Sequence, residues 1–424
     1  MNPASPSTMP ALPLRRADLR GLWRLGVDGS LGIANLVEAM HHTIATRVGF
    51  GAGAGTGTRT EGSQRTSGLT GLIYRSVRGG MRLGGHAGDA ALRLIEPDGP
   101  GLDGAPPERD AFVAALNGLF GDHLAASENP LAIRMALRQD GVTLDPANPG
   151  GPLPRGAPTG KLLVLVHGLC MNDRQWARRG HDHGDMLARE LGMTPLYLHY
   201  NSGRHVSQNG RELATLLQRL VAHWPVPVEE LAIVGHSMGG LVARSACHQA
   251  GLEDHAWLRH LTKLVFLGTP HHGAPLERGG RRIDLLLGLS PYVAPFARLG
   301  KARSAGITDL RFGNLQDADW DGRDRHAQHR DDRQPTPLPR HADSFVLAAT
   351  LAERPGRVHS AVIGDGLVPL ASALGEHRDD ALALHVPAAH RHIVTECGHL
   401  DLLCHPQVQA RLLNWLAAPE ARSR

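Results

Sequence analysis

Aromatic side chains are scarce in this chain, with seven Phe, six Trp and four Tyr among 424 residues. Any core must therefore be filled by aliphatic side chains, and hydrophobic residues at 42% of the total are enough for a globular protein. Cysteine is also rare: Cys170, Cys247, Cys397 and Cys404 make no dense framework, which excludes a small disulfide-stapled scaffold and fits a reducing compartment. No run of 18 or more apolar residues occurs, so a hydrophobic membrane-spanning helix is not expected. The first twenty residues carry charges and prolines but no apolar stretch of signal-peptide length. The expected location is cytoplasmic, with peripheral membrane attachment as a variant. The net charge of +4 is mild, and no basic motif with interleaved aromatics is present. Nucleic acid is thus not an expected partner.

What the sequence does contain is a strand, turn and helix in succession. Residues 231–240 read LAIVGHSMGG. The apolar run 231–234 predicts a strand, and 238–250 predicts a helix with small residues on its inner side. Between them lies G-x-S-x-G, a tight turn that projects Ser237 above the sheet edge, with glycines two residues to either side removing the clashes the turn would otherwise cause. Upstream, KLLVLV at 161–166 predicts a buried parallel strand, and HGLC at 167–170 a loop at its carboxyl end. A serine attacking an acyl carbonyl needs two backbone N–H donors for the developing oxyanion. The residue after the serine, Met238, supplies one, and Leu169 in the 167–170 loop the other.

The serine needs a base, and the base an acid to fix its tautomer. Residues 357–363 predict a strand, and GDGLVP at 364–369 a turn presenting Asp365 at its carboxyl end. With 26 histidines in the chain, only placement selects the base. His399 follows a short extended run and a glycine, just before an amphipathic helix at about 407–417; His392 and His405 are its competitors. The clusters His181-Asp182-His183 with Asp185, and His271-His272, contain metal-ligand residue types but lack the ligand spacing of a zinc site, so they read as hydrogen-bonded loop histidines. Neither a metal nor a cofactor is expected.

Together, VHGL at 166–169, GHSMGG at 235–240, GTPHHG at 268–273, GDGLVP at 364–369 and GHLDLL at 398–403 resemble the α/β-hydrolase superfamily of serine esterases and lipases. The GTPHHG loop is similar to that of the GPI-inositol-deacylase-like branch. The resemblance runs from about residue 132 to the end and implies a mostly parallel sheet flanked by helices. It also implies Ser237 as nucleophile, Asp365 as acid, His399 as base, Leu169 and Met238 as oxyanion donors, and an ester or lipid substrate. An HGGG loop is absent, which resembles the lipase-type oxyanion loop. Thioesterase, amidase or acyltransferase chemistry would use the same residues. The rival reading from outside enzymology is a lipid-binding or scaffold protein that keeps the fold.

Two further regions complete the expectation. An insertion at about 275–357 reads as a helical cap or lid, with Leu285, Leu286, Leu287, Leu289, Tyr292, Val293 and Phe296 as its apolar underside, and 317–333 within it reads as a solvated mixed-charge loop. Residues 1–130 read as a helical extension, with helices at 30–48 and 69–95 and a Gly/Thr/Ser-rich linker at 49–68, preceding a hydrolase domain at 131–424. The extension reads first as a helical appendage on the core. Its alternative is a membrane-surface element with Arg75, Arg78 and Arg82 at the headgroups.

Overall fold

The computed structural model describes residues 14–47, 68–95, 105–145, 153, 155–274, 304–324, 331–353 and 364–417. Their contacts divide into two units, one of residues 1–100 with 126–131 and one of residues 101–125 with 132–424.

In the first unit, α1 (Arg16–Arg47) and α2 (Gly68–Ile95) form an antiparallel pair. Arg20 binds Asp89 at 2.8 Å, Trp23 Nε1 donates to the Gly85 carbonyl, and Arg78 reaches Glu38 and Asn35 from the other end. The contact line on α2 is made of small residues: a Cβ on Gly88 would lie 2.5 Å from the Trp23 ring, and one on Gly85 2.8 Å from Val27. The glycines that weaken an isolated helix therefore permit close packing here. Arg78, placed at a headgroup in the membrane-surface alternative, is buried against Glu38. Residues 126–131 return to this pair, where Asn129 donates to the Gly21 carbonyl and Arg24 to the carbonyls of Ser127 and Glu128.

The second unit is built on an eight-stranded sheet in the order β2-β1-β4-β3-β5-β6-β7-β8. The hairpin β1 (Ala136–Gln139) and β2 (Val142–Thr143) joins antiparallel at one edge. From β4 (Thr194–His199) through β3 (Lys161–Val166), β5 (Glu230–His236), β6 (Leu261–Leu267), β7 (Asp343–Ala349) and β8 (Arg391–Val394), all pairs are parallel. Side chains alternate between the faces. Leu162, Val164 and Val166 share a core with α5 (Val206–His223) and α6 (Met238–Leu252), while Leu163 and Leu165 share the other with α4 (His183–Leu191) and the final helix Pro406–Leu416. This is the α/β-hydrolase arrangement, with the connecting loops gathered at the carboxyl ends of the strands.

Three elements differ from expectation. Helix α3 (Pro107–Ala126), assigned by sequence to the extension, packs in the sheet unit: Asn117 accepts from Ile133 N, and Asn201 donates to the Gly121 carbonyl. Its Gly118 lies so close to Cys170 that a Cβ would sit 2.2 Å from the thiol sulfur. The cap expected to run to 357 is interrupted by β7, whose Val346, Leu347, Ala348 and Ala349 are almost fully buried, as a central parallel strand demands. The 317–333 stretch is only partly a solvated loop, because buried Asp319 accepts from the backbone of Leu315, Gln316 and Gln334. The apolar lid segments at 283–289 and 291–299, and the strand expected at 357–363, lie outside the described residues.

One strand contact carries a stability test. Lys263 on β6 directs its ammonium to the carbonyls of Trp415 and Ala417 at 2.8 and 2.6 Å, capping the carboxyl end of the final helix. Lys263→Met leaves those carbonyls without their cation and should cost about 1–3 kcal/mol. Urea unfolding measures this, and an unchanged midpoint would contradict it.

Candidate active site

Strand β5 runs directly into α6, and Ser237 stands at the joint with φ 54° and ψ −126°, a conformation rarely tolerated outside glycine. The surroundings hold it there. Ser237 N donates to the Leu267 carbonyl at 2.9 Å, and the two flanking glycines admit no side chain. A Cβ on Gly239 would lie 2.0 Å from the Val166 carbonyl oxygen, and one on Gly235 2.6 Å from Gly240 Cα. The elbow thus depends on backbone touching backbone, which explains the G-x-S-x-G spacing. Ser237 is buried, with 5% of its surface exposed.

The loop after β3 faces the elbow. A Cβ on Gly168 would sit 3.0 Å from Ser237 Cβ. The loop is fixed from three sides: Tyr200 OH donates to the His167 carbonyl, Cys170 N donates to Ser202 Oγ, and Met171 N to the Gly168 carbonyl. The amide of Leu169 donates to no acceptor among the described residues, and that of Met238, first in α6, lies outside the helical hydrogen-bond ladder. Both sequence-expected donors therefore have amides not used by the fold. Ser202, in the loop after β4, holds the 167–170 loop in place. Burial raises the Cys170 thiol to about 12, so it is a packed side chain and not a second nucleophile.

Asp365 and His399 meet. His399 Nδ1 and Asp365 Oδ2 are 2.7 Å apart, and His399 N donates to the Asp365 carbonyl. The other carboxylate oxygen accepts from Leu367 N and Val368 N, so the acid is oriented by its own turn. Both residues are buried. Gly268, next to the Leu267 carbonyl that holds Ser237, abuts the pair: a Cβ there would lie 3.2 Å from Asp365 Oδ2 and 3.3 Å from His399 Cε1. The elbow and the pair are thus neighbours across the end of β6. No hydrogen bond joins the Ser237 hydroxyl to His399 in this structure, a contact that often tightens only with substrate bound. The competing histidines are placed elsewhere, with His392 on β8 and His405 capping the final helix.

Sequence reasoning missed the residue between the glycine and the serine. His236 Nε2 lies 3.1 Å from the His399 carbonyl, and the two rings are 4.8 Å apart. The expected metal-like cluster has a related role: His181 and His183 bond ring to ring at 2.8 Å, and His183 Nε2 reaches the Leu402 carbonyl at 2.9 Å. The loop bearing His399 is therefore pinned by two histidines from beneath. Identity at an "x" position of a motif signals nothing, so only coordinates could reveal the first of these contacts.

Several of these imidazoles are held neutral by burial, His183 at about 4 and His167 at about 3, with His236 well below the usual range. The unfolded chain takes up these protons near pH 6.5, whereas the folded protein resists until about pH 4 or below. Unfolding stability should therefore fall as pH drops from 7 to 4.5, by several kcal/mol for the group. Denaturant unfolding at the two pH values measures this, and a flat profile would contradict it.

The sequence signature described as a PGAP1-like alpha/beta domain matches residues 157–294. No curated protein is a significant match to the chain. Among solved structures, the mature lipase BlEst2 of Bacillus licheniformis is 17% identical with a TM-score of 0.39, over 63% of this chain and 97% of that one. Aspergillus fumigatus lipase B is 11% identical, TM-score 0.37, over 67% and 56% of the respective chains. The Pyrococcus furiosus esterase PF2001 is 13% identical, TM-score 0.34, over 61% and 83%. These are too distant to carry an argument about chemistry. The chain is similar to PGAP1-like alpha/beta domains over residues 157–294, and its second unit has the α/β-hydrolase fold.

Proposed function

We propose that this protein is a serine carboxylic-ester hydrolase of the lipase or esterase type. The observation that carries the reading is the strained Ser237 elbow set beside a buried Asp365–His399 pair, with the unused amides of Leu169 and Met238 next to the serine. Holding a non-glycine residue at that φ and ψ costs on the order of 1–3 kcal/mol, and such strain concentrates at working sites.

In this reading Ser237 Oγ attacks the acyl carbonyl while His399 Nε2 takes its proton. Asp365, fixed by two backbone donors, holds the imidazole in the tautomer that leaves Nε2 free and stabilises the imidazolium. The Leu169 and Met238 amides receive the oxyanion. The alcohol leaves with the proton returned by His399, water activated by the same nitrogen opens the acyl-enzyme, and the acid departs. His236, by holding the His399 carbonyl, acts as a positioning residue.

On p-nitrophenyl esters, Ser237→Ala should lower kcat by about a millionfold. Asp365→Asn should lower it by about ten-thousandfold. His236→Phe should lower kcat with little change in KM, since it frees the base and leaves the substrate site intact. Activity retained in Ser237→Ala would sink the proposal. A preference for longer acyl chains would assign the lipase class, and one for the shortest chains the small-ester esterase class.

A further inference from the structure

The outer face of α2, away from α1, is both apolar and edged with positive charge. Leu72, Leu83 and Leu94 recur every eleven residues, three helical turns, and therefore share one side. All three are exposed, Leu83 by 74% and Leu94 by 89%, and Ile73 and Val77 broaden the strip. Gly79, Gly80 and Gly84 have open space beside them and leave the strip flat. A single exposed leucine is ordinary, but a line of them along one helix is not.

Arg75, Arg82 and Arg93 lie at spacings of seven and eleven residues, which returns them to one common flank of that strip. All three are exposed, and Arg75 and Arg82 have no partner among the described residues. The single acid on α2, Asp89, pairs with Arg20 at 2.8 Å and more loosely with Arg93 at 3.8 Å, leaving the Arg93 side chain largely exposed. On the same flank, Arg20, Arg24, Arg82, Arg93 and His86 border a groove of about 460 Å³ between α1 and α2, in company with Asp28, Asp89 and Glu128. Arg20 and Arg24 are engaged by Asp89 and by the carbonyls of Ser127 and Glu128. Arg82 is the guanidinium left open to an outside anion.

No helix among the described residues is long and apolar enough to cross a membrane. An apolar strip with a cationic edge is instead the pattern of a helix lying in the headgroup plane, its leucines among the acyl chains and its arginines extended to phosphates. We propose that α2 is a docking face for anionic lipid surfaces, with Leu72, Leu83 and Leu94 entering the interface and Arg75, Arg82 and Arg93 binding the headgroup phosphates. The face belongs to the first unit and contains no residue of the site around Ser237, so the inference stands or falls separately from the hydrolase reading.

The test is sedimentation of the full chain with phosphatidylcholine vesicles and with mixed phosphatidylcholine–phosphatidylglycerol vesicles. Binding should be confined to the anionic vesicles and weaken with salt, since the attraction of exposed charges is screened. A chain carrying Arg75→Glu, Arg82→Glu and Arg93→Glu should lose about a hundredfold or more in partitioning, at roughly fivefold for each charge removed. Leu83→Asn with Leu94→Asn should weaken binding at a salt concentration where wild type still holds. Unchanged circular dichroism and an unchanged urea-unfolding midpoint would show that the variants remain folded. Wild type that ignores anionic vesicles, or variants that bind as wild type does, would overturn the proposal. So would a dimer in solution that the leucine substitutions dissociate while vesicles remain unbound, because the face would then be a protein interface.

Discussion

The rest of the site depends on a backbone contact, the approach of Gly239 to the carbonyls of Val166 and His167 at the end of β3. Because α6 begins that close to the neighbouring strand, the chain leaving β5 has no room to turn gradually, and Ser237 takes up the strain. The same contact sets the loop after β3 against the serine, where a Cβ on Gly168 would lie 3.0 Å from Ser237 Cβ. A methyl group at position 239 would overlap a carbonyl oxygen, with nothing flexible nearby to yield. The energy that holds the turn comes from the two cores sandwiching the sheet, in which Leu162 to Val166 and Leu231 to Val234 are fully buried.

Opposite the serine, Asp365 and His399 are organised by a different means. Asp365 is oriented by amides within its own turn, while His399 is oriented by the acid at its ring and by His236 and His183 acting on its loop. The motif strand therefore contributes twice, through Ser237 and through the histidine before it. Neutral, buried imidazoles suit this task, since a charge on His236 would have to be desolvated beside the His399 ring. Ester cleavage by these groups is proposed from the Ser237 elbow and the Asp365–His399 pair.

Much of this architecture could be read in advance. The strands β3 and β5 and the helix α6 announced themselves through short apolar runs bounded by glycine and polar turns. Asp365 and His399 were legible because order along the chain, together with a glycine-flanked turn, narrows the choice even among many histidines. What escaped was set by tertiary context. Strand β7 sits in Pro- and Arg-rich surroundings that resemble a cap, although its run FVLAA carried the apolar signal of a buried strand. Helix α3 had a proline at its start, acids in its first turn and a run of apolar positions, yet its partner, the loop after β3, is distant in sequence. The pin from His236 to His399 spans 163 residues and leaves no trace in local composition.

The central claim is that Ser237 is an activated nucleophile, and the most direct measurement is intact-mass and peptide analysis after exposure to a fluorophosphonate. The account predicts a single phosphonyl adduct on the peptide bearing Ser237, formed in wild type, slowed in His399→Ala and absent in Ser237→Ala. A folded wild-type protein that takes up no adduct, or takes it up at another residue, would contradict it.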